Sequence, residues 1–128
     1  MKKTIAMLLA VIMIMSMCVS LSACGNNKND YVGVWKKPSG YYDYKGDIIY
    51  NYMYIYKDGT GDFYHNGSHG SPFTWEVEDD YLVITDSNIN GGTIIKKYTL
   101  SGNQLLDKQG KVYATKYSSD TSVDVSLD

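Results

Sequence analysis

The sequence predicts an all-β protein built as an antiparallel up-and-down meander of about eight strands. From Tyr31 onward, short runs rich in Tyr, Val, Ile and Thr alternate with turn signals. No window carries apolar residues at the i, i+3, i+4, i+7 spacing of an amphipathic helix. Eight strands joined by short turns can close into a barrel that is filled by side chains or holds one small ligand, although an open sheet or a sandwich would show the same pattern.

The predicted strands lie within residues 31–117, which we expect to form one domain. They are Tyr31–Lys36, Ile48–Lys57, Thr60–His65, Phe73–Glu78, Tyr81–Asp86, Thr93–Leu100, Gln104–Lys108 and Lys111–Tyr117. The clearest turn signal is Asp58-Gly59, because a tight hairpin needs positive φ and Gly adopts it without steric cost.

Residues 1–23 are predicted to be a signal peptide. Lys2 and Lys3 form a positive start, and Ile5 through Met15 form an apolar run that is too short to span a bilayer. Leu21-Ser22-Ala23-Cys24 then resembles a bacterial lipobox. This resemblance implies cleavage before Cys24 and attachment of fatty acyl chains such as palmitate to the new N-terminus; an ordinary secretory signal with a chance cysteine is the alternative.

A lipid on Cys24 would anchor the protein to the bacterial cell membrane on its extracytoplasmic side. Two acyl chains give durable anchoring, because each buried methylene contributes about 0.8 kcal/mol. Residues 24–30 then form a lipidated N-terminus and a polar tether. Its six residues after the cysteine span only about 20 Å when fully extended, so the domain is expected to lie close to the membrane.

Composition argues against several function classes. All 12 basic residues are Lys, and after removal of residues 1–23 ten lysines face 14 acidic residues, so no nucleic-acid partner is expected. Without Arg, bidentate phosphate recognition is missing, and no G-x-S-x-G, H-E-x-x-H or P-loop motif occurs. His65, His69 and Asp62 are better interpreted as a solvated loop than as a metal site. We expect a non-enzymatic protein without catalytic residues, metal or cofactor.

A family resemblance rests on Gly33-Val34-Trp35 on the first predicted strand, which resembles the G-x-W motif of the lipocalin/calycin superfamily. With the run from Ile55 to Gly61, which contains Asp58 and Gly59, most of residues 31–117 looks like the small lipocalin-like lipoproteins of Gram-positive bacteria. The resemblance implies a lipocalin-like barrel whose closed end is covered by Trp35. Lipocalins commonly stack an arginine on this tryptophan; in this chain Lys116 could take that place through a cation–π contact.

Tyrosine is the most unusual feature of the domain. On the second predicted strand, alternate positions carry Tyr50, Tyr52, Tyr54 and Tyr56, here called the Tyr ladder. The other positions, Ile49, Asn51, Met53 and Ile55, are more aliphatic and are assigned to the interior. An outer ladder could bind a sugar, a peptide or a protein, and Tyr41, Tyr42 and Tyr44 could extend it. Alternatively, the ladder reflects β-propensity and cross-strand pairing, or lines the barrel if the parity is reversed.

Three functions remain open at this stage. The preferred one is a membrane-anchored, non-enzymatic interaction module that binds a protein or glycan through the Tyr ladder. The alternatives are a barrel that binds a small amphipathic ligand and a structural envelope protein without a specific ligand. Residues 118–128 are predicted to be an acidic, weakly ordered tail rather than a ninth strand, although Val123, Val125 and Leu127 alternate as in a strand.

Overall fold

The computed structural model describes residues 27–66, 68–87 and 90–125 and shows a closed antiparallel β-barrel. Its strands are β1 (Gly33–Tyr42), β2 (Ile48–Ile55), β3 (Thr60–His65), β4 (Ser68–Glu78), β5 (Tyr81–Ser87), β6 (Thr93–Ser101), β7 (Gln104–Leu106) and β8 (Val112–Ser118). Each strand pairs with its neighbours in sequence, and β1 also pairs with β8, where Trp35 is opposite Lys116. The predicted all-β meander of eight strands is therefore confirmed.

The main differences from the predicted strands are at β1 and β4. β1 begins at Gly33 and continues to Tyr42, and β4 begins at Ser68, five residues before the predicted start at Phe73. Gly and Pro in these added segments read as turn signals in isolation. In the barrel, Pro72 pairs with Asp62, and the β1–β2 register shifts after Pro38, so the strands accommodate these residues at irregular positions.

The turn between β2 and β3 forms at Asp58-Gly59, as predicted. Gly59 has φ +90°, and the Asp58 carboxylate accepts hydrogen bonds from the Thr60 N–H (3.0 Å) and hydroxyl (2.6 Å). Both hydrogen bonds lower the pKa of Asp58, and the bond from the Thr60 hydroxyl has the larger effect. The turn residues thus fix where β2 ends and set its register with β3.

The interior of the barrel holds the main apolar core. Its buried residues are Tyr31, Trp35, Met53, Ile55, Phe73, Trp75, Leu82, Ile84, Tyr98, Leu105 and Ala114. A 3-10 turn at Lys28–Asp30 leads into Tyr31, which lies at the end of the barrel where the odd-numbered strands begin. The Trp35 Nε1–H donates to the Tyr31 carbonyl (2.9 Å), and the Tyr31 hydroxyl donates to the Asp80 carbonyl (3.2 Å). We call this closed end the capped end.

A second apolar cluster lies on the outside of the barrel. Val34, Tyr52, Tyr54 and Val125 are buried in it, and Val123 packs against it. Residues 119–125 therefore fold back from the end of β8 over β1 and β2, and we call them the C-terminal strap. The segment predicted as a weakly ordered tail, residues 118–128, begins with Ser118 at the end of β8 and contains Val125, which is 1% exposed. Residues 126–128 lie outside the described part of the chain.

Across the described segments, no helix has both the length and the apolar character needed to cross a membrane. Cys24 and the predicted signal peptide precede these segments, so their interpretation stays a prediction.

Candidate functional site

A cavity of about 200 Å³ opens at the end of the barrel opposite the capped end, which we call the mouth. Along six strands, the inward-facing residue changes from apolar in the core to polar one step closer to the mouth. These pairs are Trp35 and Lys37, Met53 and Asn51, Phe63 and His65, Phe73 and Ser71, Ile84 and Asp86, and Tyr98 and Lys96. We call the six polar residues the polar ring.

The cavity is amphipathic because this ring lies above an apolar floor. Trp35, Met53 and Phe63 line the inner part, and the polar ring and Tyr113 line the part nearer the mouth. The closed sheet is what brings the ring together: its members come from six different strands, and Lys37 and Lys96 are nearly 60 residues apart in sequence. Apolar walls with a few convergent polar groups are typical of small-molecule sites.

Lys37 is the most unusual charge in the cavity. It is half-buried, and its Nζ lies 4.5 Å from the centroid of the Tyr113 ring. Burial, and then the nearby positive charge of Lys96, lower the pKa of Lys37. Among the described residues, neither Lys37 nor Lys96 forms an ion pair. The cavity therefore contains positive charge that no neighbouring carboxylate neutralises at short range.

The Tyr113 ring beside Lys37 is stacked on Tyr98. The rings of Tyr98 and Tyr113 have centroids 4.2 Å apart and planes inclined by 22°. Burial is the main reason why the pKa of each hydroxyl is raised. Both side chains are thus neutral at physiological pH, and Tyr113 offers an aromatic ring with a polar tip to the cavity.

The Tyr ladder faces outward, but its centre is covered. Met53 and Ile55 lie in the interior core, as assigned from the sequence, and Tyr52 and Tyr54 are only 9% and 4% exposed beneath the C-terminal strap. The Tyr54 hydroxyl donates to the Val123 carbonyl and accepts from the Val125 N–H (3.2 Å). The ladder is therefore not a continuous exposed face.

The two outer members of the Tyr ladder are half-buried. Tyr50 lies 4.8 Å from the Lys36 Nζ, measured to its ring centroid. The Tyr56 hydroxyl donates to the Asp62 carboxylate (3.1 Å), and burial together with this hydrogen bond raises the pKa of Tyr56 to about 12. These rings are engaged by neighbouring side chains of the barrel.

Exposed tyrosines instead occur where β1 meets the loop to β2. Tyr41, Tyr42 and Tyr44 are 66%, 68% and 92% exposed. This hairpin lies at the mouth end, because β1 ends and β2 begins there. Three accessible rings thus project beside the entrance of the cavity.

Gly33 and Trp35 of the G-x-W motif both have structural roles in the barrel. Trp35 is fully buried at the capped end, and the Lys116 Nζ lies 5.4 Å from its ring centroid and donates to the Asp30 carbonyl (3.0 Å). The expected cation–π cover is therefore confirmed. Gly33 has φ +147°, and a Cβ at this position would collide with the Ser118 carbonyl. The motif residues close and cover the barrel.

The two histidines lie on opposite sides of the sheet. His65 belongs to the polar ring, whereas His69 Nε2 is 3.1 Å from the Asp62 carboxylate on the outside. Within the described ranges, no group of three or more His, Cys, Asp or Glu side chains is arranged to hold a metal ion.

Comparison with known proteins gives no relative: no family model, no curated protein and no solved structure matches this chain. The candidate site therefore rests on its own geometry. Sequence reasoning had placed Asn51 inside but missed the rest of the polar ring. In the sequence, the members of the polar ring follow the two-residue alternation of each strand, one step beyond its apolar positions. Only the closed sheet brings these positions together.

Proposed function

We propose that this chain is an extracytoplasmic lipoprotein, anchored through Cys24, whose barrel binds a small amphipathic molecule without chemical conversion. The observation that carries this proposal is the mouth cavity, in which a polar ring surrounds an apolar floor. The lipobox-like segment ending at Cys24 supports the anchor, and the covered Trp35 supports the lipocalin-like assignment. Binding inside the barrel replaces the Tyr ladder as the leading function because the centre of that ladder is buried.

The cavity volume limits the size of the ligand. Typical pockets for drug-sized molecules are about 300–1,000 Å³, and an engineered apolar cavity of about 150 Å³ binds benzene. A volume of about 200 Å³ thus suits one ring with a short polar side chain. The ring would contact Trp35, Met53 and Phe63, and the polar end would face the mouth.

The test uses the mature chain, residues 24–128 with Cys24→Ser, and three single-ring probes: phenylacetate, phenylacetamide and phenethylamine. In NMR titrations, at least one probe should produce saturable shifts at the amides of Asn51, Phe63 and Ser71. Ser71→Trp should abolish these shifts by filling the entrance. Thr74→Trp, on the outer side of the same strand, is the matched control and should retain them. If no probe gives saturable shifts at these amides, the cavity is not a binding site and the proposal fails.

A second candidate function is contact with a protein or glycan through Tyr41, Tyr42 and Tyr44. Their high exposure favours it, because tyrosine provides large contact area at low entropic cost. The test is binding of the unlipidated chain, residues 24–128 with Cys24→Ser, to isolated cell envelopes, so that a lipid anchor does not contribute. The triple substitution of these tyrosines by Ser should abolish binding with the barrel still folded, as judged by circular dichroism. Unchanged binding would remove this candidate.

A further inference from the structure

We infer that the mouth cavity selects small monoanionic ligands, single-ring or short-chain carboxylates, and that Lys37 is the residue that recognises their charge. This inference rests on the proposed function and specifies its ligand class. The inference is based on the charge and geometry of the polar ring and on the volume of the cavity.

The first step concerns the charge of Lys37. Partial removal of an ammonium group from water has a desolvation cost, which an opposite charge nearby would offset. In the described structure Lys37 forms no ion pair, and the Tyr113 ring face, 4.5 Å from its Nζ, provides only a cation–π contact. A carboxylate that enters from the mouth would supply the missing negative charge and accept hydrogen bonds from Nζ.

The second step concerns the sign and number of charges in the ring. Lys37 and Lys96 are positive, and Asp86 is negative. The remaining titratable groups that line the cavity are His65, Tyr52 and Tyr113. The formal charge with neutral His65 is thus +1, and one negative charge on the ligand neutralises it. A second negative charge would face Asp86 without a partner, and a cationic ligand would face two lysines. The lowered pKa of Lys37 agrees with this electrostatic environment.

The third step concerns shape. Lys presents a compact ammonium on a flexible stem, whereas bidentate recognition of planar anions uses Arg, which the chain lacks. The site therefore recognises the charge of the ligand at one point and its ring or chain through the apolar floor. In a cavity of about 200 Å³ this combination fits a small carboxylate and leaves no space for a long acyl chain.

The experiment measures dissociation constants of the three probes by calorimetry or NMR. Phenylacetate and phenylacetamide have nearly the same shape and differ in charge. We expect phenylacetate to bind about tenfold more tightly than the amide, and phenethylamine to bind most weakly. Lys37→Gln should remove the preference for phenylacetate, so that the two probes bind this variant about equally. Asp86→Asn should increase phenylacetate affinity.

Lys108→Gln is the matched control, because it removes the same charge from an exposed turn outside the cavity. It should leave the preference for phenylacetate intact. If phenylacetate and phenylacetamide bind equally, or if Lys37→Gln and Lys108→Gln have the same effect, the inference is wrong while binding in the cavity stands. If no probe binds, the proposed function itself fails. If Lys37→Gln does not fold, the comparison of phenylacetate with phenylacetamide on the unmodified protein still tests the inferred preference for an anion.

Discussion

Gly33 shows how one residue allows the barrel to close. It is the first residue of β1 and lies against the end of β8, where its φ of +147° and the nearby Ser118 carbonyl leave no space for a side chain. The first residue of the G-x-W motif is thus explained by the approach of two backbones. The third residue, Trp35, then closes the end of the core.

We therefore expect Gly33→Ala to lower the free energy of unfolding by about 1–3 kcal/mol, measured by denaturant titration. Gly40→Ala is the control, because Gly40 also has positive φ (+87°) but has no atom within 4 Å of the added Cβ. Its loss should be smaller, since it includes only the backbone strain. Equal losses at the two sites would show that the contact with Ser118 is unimportant.

Tyr54 joins the C-terminal strap to the barrel through its hydroxyl. That hydroxyl donates to the Val123 carbonyl and accepts from the Val125 N–H. Tyr54→Phe should lower the free energy of unfolding by about 1–3 kcal/mol, because two strap backbone groups lose their partner. Hydrogen exchange at the Val125 amide should accelerate as well. Tyr64→Phe, whose ring lies 5.0 Å from that of Tyr54, is the control; an equally large effect there would contradict this assignment.

At the scale of elements, β2 was predictable because the sequence pattern that defines it lies within the strand and the turn that follows. Period-two alternation separated Met53 and Ile55 from the tyrosines, and Asp58-Gly59 marked its end. The C-terminal strap was not predictable in the same way. Its Val123 and Val125 alternate in an acidic segment, and only the folded sheet provides the apolar surface that they cover. The polar ring of the candidate site likewise depends on closure of the sheet.

The strap behaves as a separate element whose attachment depends on Val125. We expect Val125→Asp to release the strap and to lower the free energy of unfolding by about 1–3 kcal/mol, because a charge would be buried without a partner. The barrel should stay folded, and limited proteolysis should cleave within residues 119–125. Val112→Asp, at an exposed position on β8, should have neither effect. A protease-resistant strap in Val125→Asp would contradict the packing described above.

Acid should loosen the first turn of the strap. The Asp120 carboxylate accepts hydrogen bonds from the Ser122 hydroxyl (2.7 Å) and N–H (2.9 Å). Both bonds lower the pKa of Asp120, and the bond from the hydroxyl has the larger effect. Because the pKa of Asp120 is lower in the folded protein, its ionised form stabilises the turn at pH values above the unfolded-state pKa of about 3.9. This stabilisation is lost as the pH falls through the folded-state pKa. The protection factor of the Ser122 amide should therefore decrease below about pH 4. Asp120→Asn should remove this pH dependence; if the dependence persists, another group is responsible.

At the scale of the whole molecule, the two ends of the barrel have different neighbours. The chain enters at the capped end, where the turn at Lys28–Asp30 precedes Tyr31. Only residues 25–27 separate the predicted lipid-bearing Cys24 from this turn, and three extended residues span about 10 Å. The mouth lies at the other end of strands such as β2, whose eight residues extend roughly 26 Å. A lipid on Cys24 would thus hold the capped end near the bilayer and direct the mouth away from it.

This orientation can be measured with the lipidated protein in vesicles. In the predicted mature lipoprotein, removal of the signal peptide would eliminate Cys18 and acylation would occupy Cys24, so a single added cysteine would be the free thiol for a fluorophore. Asn103→Cys labels the capped end, and Tyr44→Cys labels the hairpin at the mouth, where Tyr44 is highly exposed. Nitroxide-labelled lipids should quench the first fluorophore strongly and the second weakly, because quenching requires close approach. Equal quenching would show that the barrel tumbles on its tether, and stronger quenching at Tyr44→Cys would show that the mouth faces the membrane. Either result would contradict the outward-facing cavity, whereas the expected result would mean that its ligand enters from the side away from the bilayer.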